Sequence, residues 1–225
     1  MQHSISQTSG TATSPRLIDV VKRLAPSPSH QHFDELQGEG SPWHNFFEQL
    51  GQTDLNELDR RTQTLARQVR DNGITYNVYA DQDNPQRPWS LDLFPLILTP
   101  ESWATIEVGI KQRADLLERV MADVYGPQQL IRDALMPPAL VHGHPGYLRA
   151  MHGVSPVGGT HLHIAAFDLA RSPDGQWAVV AQRTQAPSGL GYLLENRLLI
   201  SRQFPQAFEA MHIQRLAATY RVWVE

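Results

Sequence analysis

The chain has 225 residues, 41% hydrophobic and 19% charged, with a formal net charge of −4 and no cysteine. That balance suits one globular domain, or a domain with a tail, and holds no general attraction for nucleic acid or an anionic membrane. Disulfide staples and thiolate chemistry are excluded, and no run of about 18 apolar residues marks a transmembrane helix.

The opening MQHSISQTSGTATSPRLIDVV lacks the apolar run of a secretory signal, so a cytoplasmic protein is expected. Residues 1–30 read as a flexible leader, polar and Ser/Pro-rich, in which LIDVVKRL (Leu17 to Leu24) can dock as a helix. A helical segment covers 31–73. HNFFEQLG ends at Gly51, and Thr53 is placed to cap a helix carrying Leu55, Leu58, Leu65 and Val69, with Thr62 filling the gap in the stripe. Asn72-Gly73 stops it. The third region, 74–225, opens with ITYNVYA, Ile74 to Ala80, whose alternation predicts a strand. WSLDLFPLIL reads as a second extended, mostly buried piece.

Thr99-Pro100-Glu101 is a helix start, with a cap, a proline at the first position and an acid in the first turn. The helix runs to about Tyr125 with an apolar stripe of Trp103, Ile106, Ile110, Leu117, Val120, Met121 and Val124. Gly126-Pro127 ends it, and QQLIRDALM forms a short helix. THLHIAAFDLA (Thr160 to Ala170) and QWAVVAQRTQ predict a hairpin across the SPDG turn at Ser172 to Gly175. YLLENRLLISRQF and the remainder read as helix. The expected fold class is α+β, an antiparallel sheet with packed helices.

Three constellations carry candidate chemistry. HGH (His142, His144) and HLH (His161, His163) have i,i+2 spacing, which on a strand points both imidazoles to one side. His152, Asp168 or Glu195 could supply a third metal ligand; the competing reading is hydrogen-bonding histidines at a strand start. Asp168 and Arg171, at the end of a strand, can bind a metal or phosphate, or form a hairpin-end ion pair. Pro187-Ser188-Gly189-Leu190-Gly191 is similar to a small anion cradle, with Ser188 able to cap the next helix; the alternative is an ordinary loop. Arg113 by itself belongs to the solvated face of a helix.

ITYNVYAD with RPWSLDLFPLIL forms one block. A second, TPESWATIEVGIKQRADLLERVMADVYG, carries Trp103, Gly109, Gln112-Arg113, Asp123 and Tyr125. A third, HLHIAAFDLARSPDGQWAVVAQRTQAPSGLGYLLENR, carries Asp168, Arg171, Asp174-Gly175, Trp177, Pro187-Ser188-Gly189 and Glu195-Asn196-Arg197. In this order, over about residues 74–208, the blocks resemble the circularly permuted ATP-grasp proteins of the type 2 group, related to glutathionylspermidine synthase-like ligases. The first 70 or so residues lie outside the resemblance. It implies part of a circularly permuted ATP-grasp domain and a carboxylate–amine ligase. Such an enzyme phosphorylates a carboxylate with ATP and Mg2+ and lets an amine displace phosphate. The substrates it implies are a small-molecule carboxylate and amine. Under it, Asp168 helps hold metal and Arg171 and Arg183 contact phosphates or the carboxylate. Ser188, Gly189 and Gly191 cradle phosphate or acceptor, and Arg113, Asn196 and Arg197 join the binding set.

The sequence departs from that pattern in one place. Where the family commonly shows Glu-Asp-Asn, this chain has Ala181, Gln182 and Arg183, and the Arg usually found two places later is Gln185. Alanine cannot ligate a metal and glutamine is a poor substitute for a carboxylate on a hard cation. Either Arg183 stands in for the metal's charge, with any Mg2+ left to Asp168, or phosphoryl transfer is lost and the fold serves as a scaffold or anion-binding module, a pseudoenzyme. The chain is expected to be a fragment, inactive alone, whose partner is the remainder of the ATP-grasp domain or another protein.

Overall fold

The computed structural model describes residues 15–24, 32–36, 41–73 and 89–224, the side chains of 222–224 excepted. The strand expected at Ile74 to Ala80 and most of the 1–30 leader lie outside the described residues. The chain forms two compact units. One is assembled from Met1–Ser29, Asp34–Ile97 and Gly189–Glu225, the other from His30–Phe33 and Leu98–Ser188.

The first unit is helical. Helix α1 (Leu17–Val21) buries Leu17, Ile18 and Val21, so the apolar piece of the leader docks as a helix. In α2 (Pro42–Gln49) the Ser41 hydroxyl accepts the Trp43 N–H at 3.3 Å, Pro42 takes the first position, and Phe46 and Phe47 are buried. Gly51 then turns the chain at φ 58°, a conformation that costs glycine little. Helix α3 (Leu55–Asp71) is capped by Asp54, whose carboxylate accepts the Glu57 N–H at 2.9 Å. Thr53 instead donates its hydroxyl to the Leu50 carbonyl at 2.7 Å, so the expected cap falls one residue early. Leu58, Leu65 and Val69 are buried as the periodicity predicts, but Leu55 and Thr62 face out.

Helix α7 (Leu190–Gln203) brings Leu199 and Ile200 into the same core, and α8 (Pro205–Ala210) adds Ala207. Phe204, at the α7–α8 junction, is 1% exposed and meets the Phe46 ring edge-on at 5.0 Å. The segment after Trp89 is irregular and less buried than expected: Leu93 alone is fully buried, while Phe94 and Leu96 are exposed. Helix α9 (Ala217–Val224) completes this unit.

The second unit is built on α4 (Pro100–Tyr125). Its start is as predicted: the Thr99 hydroxyl accepts the Ser102 N–H at 3.2 Å and Pro100 sits at the first position. It stops at Gly126, where a Cβ would lie 2.6 Å from the Ala122 carbonyl oxygen. Two residues near the end of α4 fasten the chain beyond it. Asp123 accepts the N–H groups of Gln129 and Leu130 at the start of α5 (Gln129–Arg132). Tyr125 accepts the Leu148 N–H through its hydroxyl and stacks on Tyr147, beyond α6 (Pro138–His142).

Strands β1 (Ala166–Arg171) and β2 (Trp177–Arg183) pair antiparallel and are the one sheet among the described residues. β1 begins later than expected, leaving His161 and His163 outside it. Of the predicted α4 stripe only Ile106 and Val124 are fully buried, and Trp103 is 42% exposed. A two-stranded ribbon and short helices have too little surface to cover a helix roughly 39 Å long.

Candidate functional site

The hairpin sets the geometry of the second unit's candidate residues. Its turn is the SPDG turn, closed by the Gly175 N–H on the Ser172 carbonyl at 2.8 Å with Gly175 at φ 86°. The Ser172 hydroxyl, then the Gln176 N–H, hold the Asp174 carboxyl below its ordinary range. From the turn the register runs regularly as far as Leu169 opposite Val179. Then β2 carries one extra residue, Val180, so that Asp168 faces Ala181 and Ala166 faces Arg183. Residues directly opposite share a face, and so do residues two apart on one strand. The bulge therefore places Arg183 on the face of Asp168; a regular ladder would have put Gln182 there.

Arg183 uses that position. Its Nη2 donates to Asp168 Oδ2 at 2.5 Å, with the two side chains 64% and 42% exposed. The one carboxylate among the hairpin's predicted catalytic residues thus carries a guanidinium, from the position where the resemblance implies an asparagine.

Arg171 is employed differently. Its guanidinium lies 3.6 Å above the Phe33 ring and 5.3 Å from that of Trp177, and its Nε donates to the Gly175 carbonyl at 3.2 Å. It braces the turn. Arg113 is exposed on α4 with no hydrogen bond or ion pair among the described residues.

The histidines do not converge. Glu118 on α4 accepts the backbone N–H groups of His161 and Leu162 and bonds the His161 Nδ1 at 2.9 Å. Burial acts to raise the Glu118 carboxyl, but these hydrogen bonds and the imidazole outweigh it and the net shift is downward. His144 accepts the Gly146 N–H, and His142 packs edge-on against Tyr147. Among the described residues no three His, Asp or Glu side chains form a metal-binding group. The i,i+2 signal fails because residues 161–165 are not a strand.

Ser188 is exposed and does not cap α7, contrary to the sequence expectation. The N-cap is Gly189, at φ 116° and ψ −6°, a backbone that L side chains rarely adopt. Within the first unit the Gly189–Gly191 turn opens α7, and the LENR residues then anchor that helix. Asn72 Nδ2 donates to Glu195 Oε1 at 2.5 Å. Trp89 Nε1 donates to Asn196 Oδ1 at 3.1 Å, and its ring stacks on Tyr192 at 4.6 Å. Arg197 lies 5.8 Å from the Phe208 ring, and burial pushes its guanidinium below the usual arginine range. Sequence reasoning missed Glu118 as the fastening of the segment before β1, and Trp89 as the partner of Asn196. Both contacts span long separations that no local pattern encodes.

A family model described as circularly permuted ATP-grasp type 2 matches residues 95–225. An uncharacterized protein of Mycobacterium tuberculosis is 32% identical over 198 residues, which are 84% of this chain and 22% of the relative. One of Mycobacterium leprae is 35% identical over 192 residues, 84% of this chain and 33% of its own length. One of Synechocystis is 33% identical over 165 residues, 73% of this chain and 34% of the relative. The chain thus spans between a fifth and about a third of the length of these curated relatives. Among the described residues no helix is long and apolar enough to cross a membrane. Match and relatives agree with the order of blocks in the sequence: the chain belongs to the circularly permuted ATP-grasp type 2 family.

Proposed function

We propose that the chain is part of an ATP-grasp-type carboxylate–amine ligase that acts through an acyl phosphate, with its metal-dependent step altered. The observation that carries the alteration is the Arg183–Asp168 ion pair. Mg2+ binds near-ideally octahedral oxygen ligands and draws on one or two carboxylates together with substrate phosphates. Here the strands of the hairpin offer Ala181, Gln182 and a single aspartate already matched to a guanidinium, so these residues do not fit the ion. Arg183 instead supplies fixed positive charge where anionic oxygens would gather, and a guanidinium grips them with directed donors. Arg113 is the other exposed cation proposed for substrate. In the first unit, the backbone N–H groups at Gly189 and Gly191 and the Arg197 side chain are the proposed anion contacts, with Asn196 setting the α7 face through Trp89. ATP, when bound, supplies the phosphoryl group. A small carboxylate and an amine are the substrate class, and dependence on ATP argues for a cytoplasmic protein.

A second reading is a non-catalytic scaffold on the same fold, which binds an anion or a partner such as the rest of an ATP-grasp domain. The loss of carboxylates at Ala181 and Gln182 favours it. Calorimetric titration of ATP with and without Mg2+ separates the two. The ligase reading expects ATP to bind with little gain from Mg2+, and Arg183→Asn, which releases Asp168, to make binding Mg2+-sensitive. Strict Mg2+ dependence in the wild type, abolished by Asp168→Ala, would sink the altered-metal reading. A folded chain that binds no ATP under either condition leaves the scaffold.

A further inference from the structure

A cavity of about 310 Å3 lies in the first unit where α3 meets the α7–α8 junction, lined by Glu57, Arg60, Arg61, Arg202, Gln203 and Gln206 among others. Its size is at the lower end for small-molecule sites. Three guanidinium groups face one carboxylate, which leaves a formal excess of two positive charges. Glu57 is kept ionised by Arg60 and then Arg61, which hold its carboxyl at about 2. The excess therefore persists across the physiological range.

The cluster is also preorganised. Arg60 forks onto Glu57 at 2.8 and 2.9 Å. Arg61 donates Nε to Glu57 at 3.0 Å and Nη1 to the Gln203 carbonyl at 2.6 Å, and its guanidinium carbon lies 5.3 Å from the centre of the Phe204 ring. The Gln203 side chain is buried and fixed by Gln68 at 3.0 Å. These bonds leave donors on Arg60 and Arg61 unused, and Arg202 makes no hydrogen bond or ion pair among the described residues. A network meant only to satisfy itself would match its charges. This one fixes two arginines by a single carboxylate and keeps a third open.

We propose that this cavity binds a phosphate dianion, either free phosphate or the phosphoryl group of a small phosphomonoester. Two excess charges match the dianion, and guanidinium forks match its tetrahedral oxygens. The residues involved are separate from those proposed for ligase chemistry, so failure here leaves that reading intact.

The test is calorimetric or NMR titration of the chain with inorganic phosphate and, separately, with glycerol 3-phosphate, without Mg2+ or ATP and against sodium chloride at matched ionic strength. Saturable binding is expected, weakened about tenfold by Arg202→Ala through loss of charge-assisted hydrogen bonds. Arg70→Ala makes the same charge change on α3, round the helix from Arg60, Arg61 and Thr64 and outside the cavity lining, and is expected to leave binding unchanged; circular dichroism confirms that both variants fold. Tighter binding of the monoester identifies an organic phosphate as the ligand, and preference for inorganic phosphate identifies the free ion. No saturable response at matched ionic strength would overturn the proposal. So would an equal loss in Arg70→Ala and Arg202→Ala, because the attraction would then be general electrostatics.

Discussion

At Glu118 one carboxylate takes up two backbone N–H groups and an imidazole. Glu118→Ala leaves those donors half-buried without an acceptor, and a loss of about 1–3 kcal/mol is expected in thermal or urea unfolding. Glu57 gives the pH signature. Its carboxyl lies at about 2 in the fold against 4.5 when unperturbed. A depressed acid stabilises the fold fully above the unperturbed value, and that contribution disappears as the pH falls toward the folded one. Glu57→Gln should therefore cost on the order of 1 kcal/mol at pH 7. Urea titrations of wild type and variant should converge as the pH drops from 4.5 toward 2; a difference constant through that window would mean that charge is not the cause. The roles of Thr99, Gly126 and the SPDG turn were legible because a cap, a steric clash and a tight turn are decided by a few consecutive residues. The roles of Arg171 and Ser188 were not. Neither residue type says whether a ring such as Phe33 lies above it, or whether the backbone turns before its side chain can reach a helix end.

Among the elements, the α7–α8 junction is where the first unit is most vulnerable. Phe204→Ala removes a ring packed against Phe46 and under Arg61, and about 3–5 kcal/mol should be lost in urea unfolding. In the hairpin, deleting Val180 removes the bulge but keeps Asp168 opposite Ala181 and Ala166 opposite Arg183, so the Arg183–Asp168 ion pair should survive the deletion. A structure of the deletion variant with Gln182 beside Asp168 would mean that the strand slips by a residue instead of closing the gap. Helix existence was readable from spacing, as Leu58, Leu65 and Val69 show. Helix burial was not: α4 has its apolar stripe, but periodicity records which residues could be covered and not what is there to cover them. The bulge was equally invisible, since WAVVAQR alternates no differently with it than without it.

The two units of the molecule differ in how much they hide. Among the described residues of the first, fourteen side chains from α1, α2, α3, the segment after Trp89, α7 and α8 share one core. In the second, Ile106, Val124 and Val141 are the fully buried hydrophobics among the described residues, while Val108, Leu116, Leu135, Leu140 and Val157 are more than half exposed. Hydrogen exchange should mirror that division, slowest on α3 and α7 around Leu65 and Leu199 and faster on β1 and β2; uniform protection would contradict it. The first unit is also discontinuous in sequence, since Leu98–Ser188 intervenes between its two halves. On the ribosome, α1, α2 and α3 emerge roughly 120 residues before α7, a delay of about 6–24 s at the usual pace of synthesis. Through that interval Phe46 and Leu65 lack Leu199 and Phe204 to close over them. The nascent chain is then a natural client for chaperones, and its folding yield depends on how quickly the intervening residues are translated.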